Sequence, residues 1–144
     1  MARPVRRVVT GHHADGRSTV LLDAPAPNVK QRAAGNASTL LWLTEESPAS
    51  ISQGGDRAAR EIAVPPPARG HPPRHPAIHR TRSLDYVIVL EGEITLLLDD
   101  GEVRLQAGDV VVQQGTNHAW INHGVSTCRL GMVFIDAEEP GWAK

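Results

Sequence analysis

Short runs of β-branched and other apolar residues, separated by turn-forming Asp-Gly and Gly-Asp pairs, fill the chain between His79 and Asn122. The turns are expected at Asp99-Asp100-Gly101 and at Ala107-Gly108-Asp109. Apolar runs of this length between turns of this kind are typical of consecutive antiparallel strands. The pattern therefore predicts an all-β domain whose strands follow one another closely along the chain.

Composition narrows the class of protein further. The chain has 144 residues, of which 40% are hydrophobic, and this suits one compact domain with its own core. A net charge of -1 gives no reason to expect nucleic acid or an anionic membrane surface as a partner. Cys128 is the one cysteine, which rules out a disulfide framework. Without a long apolar run, we expect a cytoplasmic protein that does not span a membrane.

Outside the central region, Val5–Thr10 and Ser18–Asp23 predict an N-terminal hairpin. A surface loop is expected at Ala24–Asn36, and a strand at Thr39–Thr44. A long loop should follow at Glu45–Ala59, and further short strands are expected at Arg60–Val64 and Thr127–Ile135.

Six prolines lie between Val64 and Ala77 and exclude a helix or a central strand there. His71, His75 and His79 are spaced four apart, but without a helix this spacing does not place them on one face. We expect His71 and His75 to be solvated loop residues, although one of them could fold over the site.

The central region resembles the cupins, which are small β-barrels built as a jelly roll. The first cupin motif has two histidines one residue apart, a glutamate four residues after the second, and a glycine seven after the glutamate. The second motif begins at a Gly-Asp pair and ends in a histidine followed four residues later by asparagine. The matching positions here are His79, Thr81, Asp85 and Gly92, then Gly108-Asp109, His118 and Asn122. Thr81 replaces a histidine, and Asp85 replaces the glutamate.

The resemblance implies a single-domain cupin jelly-roll β-barrel with an N-terminal hairpin. We expect the hairpin and its loop at residues 1–36, the barrel at 37–136 and a C-terminal tail at 137–144, all within one domain. In small cupins the leading strands often cross to a second subunit, so the resemblance also implies a homodimer. A hairpin that extends its own sheet fits the residues equally well.

Residues two apart on a strand share a face, and in the cupin register His79, Asp85 and His118 face the barrel centre. Two imidazoles and one carboxylate can bind divalent iron, manganese, nickel or zinc with positions left open for substrate. The three residues are therefore the predicted metal ligands and catalytic residues. The loss of a histidine at Thr81 leaves a second possibility, a histidine and carboxylate that transfer protons without a metal.

Four side chains are predicted to line the substrate site, namely Thr81, Trp120, Gln114 and Trp42. Thr81 and Trp120 share the inner face with the predicted ligands. Gln113 and Gln114 are amides beside the second motif, and one of them could orient a carbonyl or carboxylate. For Trp42, simple packing in the core is the alternative.

The leading functional prediction is a lyase-type enzyme that performs dehydration, decarboxylation or cyclisation on a small oxygenated organic molecule with a divalent metal. An iron-dependent dioxygenase acting on a small aromatic or ketone substrate is the alternative among enzymes. A cupin that binds a small molecule without converting it is the alternative from another class. Fold alone does not decide among the three.

Overall fold

The computed structural model describes residues 4–31, 36–46, 48–51, 55–59 and 78–138. Within these ranges the chain forms ten β-strands and no helix, which confirms the all-β prediction. The chain divides into two compact units, Met1–Ala63 and Val64–Lys144. The boundaries expected at residues 36 and 136 stay predictions. The prolines and histidines of 64–77 and the strand expected at Arg60–Val64 lie outside the described residues.

The first unit contains two strand pairs. Strands β1 (Arg6–His12) and β2 (Ser18–Pro25) form the predicted antiparallel hairpin, and β3 (Val29–Gln31) pairs with β4 (Ala37–Thr39). The β3 strand lies inside the region predicted as a loop, so that prediction was wrong there.

Of the strand predicted at Thr39–Thr44, only Thr39 lies in a strand, because the backbone groups that follow have other partners. The Leu40 amide donates to the Asn28 carbonyl at 3.0 Å, and the ladder ends there. The next carbonyl, that of Leu41, accepts from the Arg7 guanidinium at 3.0 Å. Arg7 also forms a bidentate ion pair with Asp56, which joins β1 to the turn at Asp56–Ala59.

The second unit is built from six strands in two antiparallel sheets. The strands are β5 (Ser83–Glu91), β6 (Glu93–Leu98), β7 (Glu102–Gln106), β8 (Val110–Gln114), β9 (His118–Ile121) and β10 (Arg129–Asp136). One sheet has the order β10-β5-β8, and the other has the order β7-β6-β9. Each sheet therefore pairs strands that are distant along the chain.

The core of this unit contains side chains from both sheets. Val89 of β5, Leu96 of β6 and Leu105 of β7 are buried together, and each contributes about 1.5–3 kcal/mol through burial. Around them pack the partly buried Ile94, Leu98, Val111, Trp120, Cys128 and Leu130. The core thus joins the two sheets and fixes which face of each strand points inward.

Gly92 allows the tight connection between β5 and β6. Its φ of 76° lies in the left-handed region, where glycine has no steric penalty. A Cβ added there would lie 2.6 Å from the Thr127 carbonyl oxygen. The glycine of the first motif is therefore required by the backbone and not by chemistry.

Candidate functional site

The site lies at the end of the second unit where β5 begins and β8 ends. Side chains along β5 alternate, so that Ser83, Asp85, Val87 and Val89 are buried. Asp85 is only 1% exposed. Gln113 of β8 stands directly opposite Asp85 in the sheet and is 3% exposed. Because opposed residues of an antiparallel pair share a face, the two side chains meet on the inner side.

Gln113 connects Asp85 to His118. Its Nε2 donates to Asp85 Oδ2 at 2.8 Å and lies 3.4 Å from His118 Nε2. An amide turned the other way would place its oxygen against the carboxylate. The amide nitrogen therefore faces both acceptors, and the carboxamide oxygen points elsewhere.

Hydroxyl groups extend this network on the Asp85 side. Ser83 Oγ donates to Thr81 Oγ1 at 2.9 Å, and Thr81 Oγ1 makes a long contact of 3.5 Å to Asp85 Oδ2. Oδ2 is thus the oxygen of Asp85 that the side chains of Gln113 and Thr81 contact. Thr81, at the position of the second motif histidine, acts here as a hydrogen-bonding residue.

His118 is fixed by its backbone and its ring. Its amide and carbonyl exchange hydrogen bonds with those of His79 at 2.9 and 3.0 Å, across an isolated β-bridge. His118 Nδ1 lies 2.9 Å from the Thr116 carbonyl, which can only accept, so Nδ1 carries the hydrogen. In the neutral ring this leaves Nε2 with a lone pair, directed at the Gln113 amide.

Burial favours this neutral form. The pKa of His118 is lowered from its ordinary value, mainly because burial penalises the charged ring and also because of the nearby His79. The Thr116 carbonyl and Asp85 act in the opposite direction but do not outweigh burial. At neutral pH, His118 is therefore an unprotonated base.

Two aromatic side chains border the imidazole. The ring centroid of His79 lies 4.4 Å from that of His118, with the planes tilted by 54°. The Trp120 ring lies 6.0 Å away in an edge-on arrangement. His79, Thr81, Asp85, His118 and Trp120, five of the predicted site residues, are thus gathered at one end of the unit.

Two predicted substrate residues are placed differently. Gln114 faces the opposite side of the sheet, where it is exposed and opposite Leu84. Trp42 belongs to the first unit and is 38% exposed. Of the two glutamines that the sequence analysis considered, Gln113 and not the predicted Gln114 lies at the site. Gln113 shares its face of β8 with Val111, whose side chain packs on the core, but the sequence alone does not show that this face points inward.

Two oxygen atoms of the network have no hydrogen-bond partner among the residues that the structure describes. Asp85 Oδ1 and Gln113 Oε1 are buried, and neither accepts a hydrogen bond from any group in the described part of the chain. Buried polar atoms are nearly always paired in folded proteins. These two acceptors are the unusual feature of the site.

The donor set fits a divalent metal poorly. Among residues 78–138 and the other described ranges, no three His, Cys, Asp or Glu side chains form a group that could hold a metal ion. The hydrogens of the Gln113 amide are directed at Asp85 Oδ2 and His118 Nε2, which belong to two of the residues that would hold a cation. As arranged, the described side chains do not present three such ligands together. The metal centre of His79, Asp85 and His118 stays a prediction.

Asn122, the last residue of the second motif, has a structural role at the other end of β9. Its Nδ2 donates to the Ser126 carbonyl at 2.8 Å, and its Oδ1 accepts from the Gly124 amide at 2.9 Å. It borders a depression of about 450 Å³ beside Gly92. This depression lies at the opposite end of the sheet from His118, because Thr95 pairs with Ile121 and Leu98 with His118.

In the part of the chain that the structure describes, no helix is both long and apolar enough to span a bilayer.

Comparison with known proteins identifies the family of this chain. The family model described as Cupin domain matches residues 62–135, which is more than half of the chain.

Curated relatives agree with this match. Phomopsin biosynthesis cluster protein C' of Diaporthe leptostromiformis is 37% identical over 157 residues, with 94% of this chain and 79% of that protein covered. Oryzines biosynthesis cluster protein J of Aspergillus oryzae is 35% identical, over 82% of this chain and 74% of that protein. Cupin-domain-containing oxidoreductase srdD of Neurospora crassa is 30% identical, over 95% and 78%. The chain belongs to the cupin family.

Proposed function

We propose that this cupin is a biosynthetic enzyme of lyase type that acts by acid–base chemistry on a small oxygenated organic molecule. The observation that supports it is the neutral His118, whose unprotonated Nε2 lies beside the Asp85–Gln113 pair at the end of the core. A base whose pKa lies at or below neutrality is suited to proton abstraction at physiological pH.

In the proposed reaction, His118 Nε2 takes a proton from a carbon next to a carbonyl group. The electron pair of that C–H bond forms a carbon–carbon double bond, and a hydroxyl on the adjacent carbon departs. The protonated His118 returns its proton to this hydroxyl, so that water is released and no oxidant is needed. Asp85 Oδ1 holds the substrate by accepting from an O–H group, and Gln113 keeps the carboxylate and the imidazole in fixed positions.

The relatives support a biosynthetic role. Two of them carry names that place them in the biosynthesis clusters of phomopsin and oryzines. A small oxygenated organic substrate is consistent with these names and with the polar groups of the site.

A divalent metal, which cupins generally bind, has no step in this proposal. The Gln113 amide nitrogen contacts Asp85 and His118, two of the three predicted ligands. Thr81 occupies the position where the first cupin motif has its second histidine. A cation would require Gln113 to turn away from both partners.

Oxidation is the second candidate function, since three relatives are named as cupin-domain-containing oxidoreductases. An iron-dependent dioxygenase is the form of this activity predicted from the sequence. Stoichiometric iron together with oxygen consumption would favour it over the lyase. A cupin that only binds its ligand would show neither activity.

The test of the proposed function is proton exchange in D₂O. The protein is incubated with a panel of hydroxylated ketones and aldehydes, and NMR follows deuterium entry next to the carbonyl as well as loss of water. We expect His118→Asn, which keeps a donor for the Thr116 carbonyl but lacks a base, to reduce exchange by about 10²–10⁴-fold. The exposed His123 supplies the matched control, because His123→Asn should exchange at the wild-type rate. Equal rates for the wild type and His118→Asn would contradict the proposal.

A further inference from the structure

The two unpartnered oxygens belong to neighbouring side chains that are themselves held in place. Asp85 is fixed through Oδ2 and Gln113 through Nε2, and the hydrogen bond between these atoms leaves Oδ1 and Oε1 as the two buried oxygens of the pair that accept no hydrogen bond from the described residues. Both side chains are more than nine-tenths buried. Buried acceptors without a partner are rare and call for an explanation, and a ligand that supplies the donors is one such explanation.

The chemistry of the pair restricts that ligand. Both free atoms accept hydrogen bonds, and one of them belongs to a carboxylate. A ligand with two O–H donors satisfies both oxygens, whereas a carboxylate ligand would bring like charge against Asp85. The pair therefore selects for hydroxyl groups and against acidic groups.

An apolar surface lies next to the pair on the same face of the sheet. Phe134 of β10 stands opposite Asp85, and Met132 stands opposite Val87. Their exposed fractions are 60% and 40%, although they share the inner face with the buried Val89 and the partly buried Leu130. The core thus continues into an uncovered apolar wall beside the two acceptors.

We propose that the site takes a polyhydroxylated molecule with an apolar body. Two of its hydroxyl groups donate to Asp85 Oδ1 and Gln113 Oε1, and its apolar part lies against Phe134 and Met132. This inference rests on the proposed function in that it names the substrate class of the same site. It concerns binding alone and can be tested without turnover.

The first test is an NMR titration of the wild-type protein, in the presence of a chelator, with three ligands that share a benzene ring with oxygen atoms at positions 1 and 3. Resorcinol has two O–H donors, 3-methoxyphenol has one, and 1,3-dimethoxybenzene has none. We expect the affinity to fall by about tenfold for each donor lost, as is usual when a buried acceptor loses its partner. Equal affinities, or no binding of resorcinol, would overturn the inference.

Variants then locate the binding site with matched controls. Gln113→Met removes the inward acceptor, and Gln114→Met makes the same change at the exposed neighbour on the opposite face. Likewise, Phe134→Ser alters the inner wall, and Val133→Ser alters the outer face at a similarly exposed position. Resorcinol affinity should fall by about tenfold in the first member of each pair and stay unchanged in the second.

The outcomes separate the inference from the proposed function. Preferential binding of resorcinol at Gln113, without proton exchange on any hydroxylated carbonyl compound, supports the inference and refutes the lyase. Proton exchange that depends on His118, together with ligand affinities that do not change with the number of hydroxyl groups on the ligand, supports the lyase and refutes the inference.

Discussion

Asp85→Asn should separate the stability of the fold from the function of the site. The carboxylate is buried, accepts from Gln113 Nε2 at 2.8 Å through Oδ2, and has no partner for Oδ1 among the described residues. Asparagine has nearly the same shape, and its oxygen can accept the same hydrogen bond from Gln113. The change removes the negative charge and replaces the free acceptor by a donor.

The stabilising and destabilising effects of Asp85→Asn on the folded protein nearly cancel. A hydrogen bond to a charged group contributes about 1.5–3 kcal/mol and a neutral one about 0.5–1.5 kcal/mol, so the bond to Gln113 weakens by about 1 kcal/mol. In the other direction, the variant no longer buries a negative charge that accepts hydrogen bonds through only one of its oxygens. Removing such a charge stabilises the folded protein by a comparable free energy. We expect the free energy of unfolding to stay within about 1 kcal/mol of wild type.

The assays are urea unfolding and proton exchange in D₂O. Loss of the acceptor for the substrate hydroxyl should lower exchange by about 10–150-fold, the equivalent of one charge-assisted hydrogen bond. Asp109→Asn is the control, since Asp109 caps the Gln106 amide at 2.8 Å in an exposed turn and should affect stability only. If Asp85→Asn lost more than about 3 kcal/mol of stability and kept its exchange rate, Asp85 would be a structural residue and the reasoning would fail.

Three further predictions concern the fold and its titratable groups. Gly92→Ala should lower the free energy of unfolding by about 3 kcal/mol or more, and Gly101→Ala by about 1–2 kcal/mol. Both glycines have positive φ, but of the two only Gly92 faces a backbone oxygen. Equal losses in urea unfolding would contradict this reasoning. Because the folded protein lowers the pKa of His118 from 6.5, stability should decline as pH falls through that value, and His118→Asn should remove that part of the slope; an unchanged slope would contradict the neutral histidine. The pKa of the Cys128 thiol is raised, first by burial and then by Glu91, so its reaction with iodoacetamide at neutral pH should be slower than that of a free cysteine; an equal rate would contradict the burial.

Much of the second unit could be predicted because its strands obey a simple alternation. Counting by twos from Asp85 assigns Val87 and Val89 to its face and Tyr86 to the other, and the structure shows Asp85, Val87 and Val89 buried and Tyr86 exposed. The Asp-Gly and Gly-Asp turns fall between β6 and β7 and between β7 and β8. Local rules were sufficient where strands follow each other through short turns.

The orientation of Gln113 and Gln114 depends on strand pairing between distant parts of the chain, so the local sequence does not predict it. Gln113 faces inward because β8 pairs with β5 in the register that sets it opposite Asp85, and these residues are 28 positions apart. The local sequence alone does not show which of the two amides faces the core. A shift of one residue would exchange the two faces.

The first unit was harder to predict because distant side chains take up its backbone hydrogen bonds. Arg7 binds the Leu41 carbonyl across 34 positions, and no periodicity near Leu41 indicates this contact. The predicted homodimer and cytoplasmic location stay predictions. The former is open to sedimentation analysis of the purified chain.

The most direct measurement is the rate of proton exchange next to a carbonyl in D₂O before and after exhaustive chelation, with elemental analysis of the same sample. If His118 acts as the base beside the Asp85–Gln113 pair, the rate stays unchanged in protein that contains no stoichiometric metal. A rate that disappears on chelation and returns with iron, manganese, nickel or zinc would show instead that the three predicted ligands form a metal centre and that Gln113 turns away to admit it.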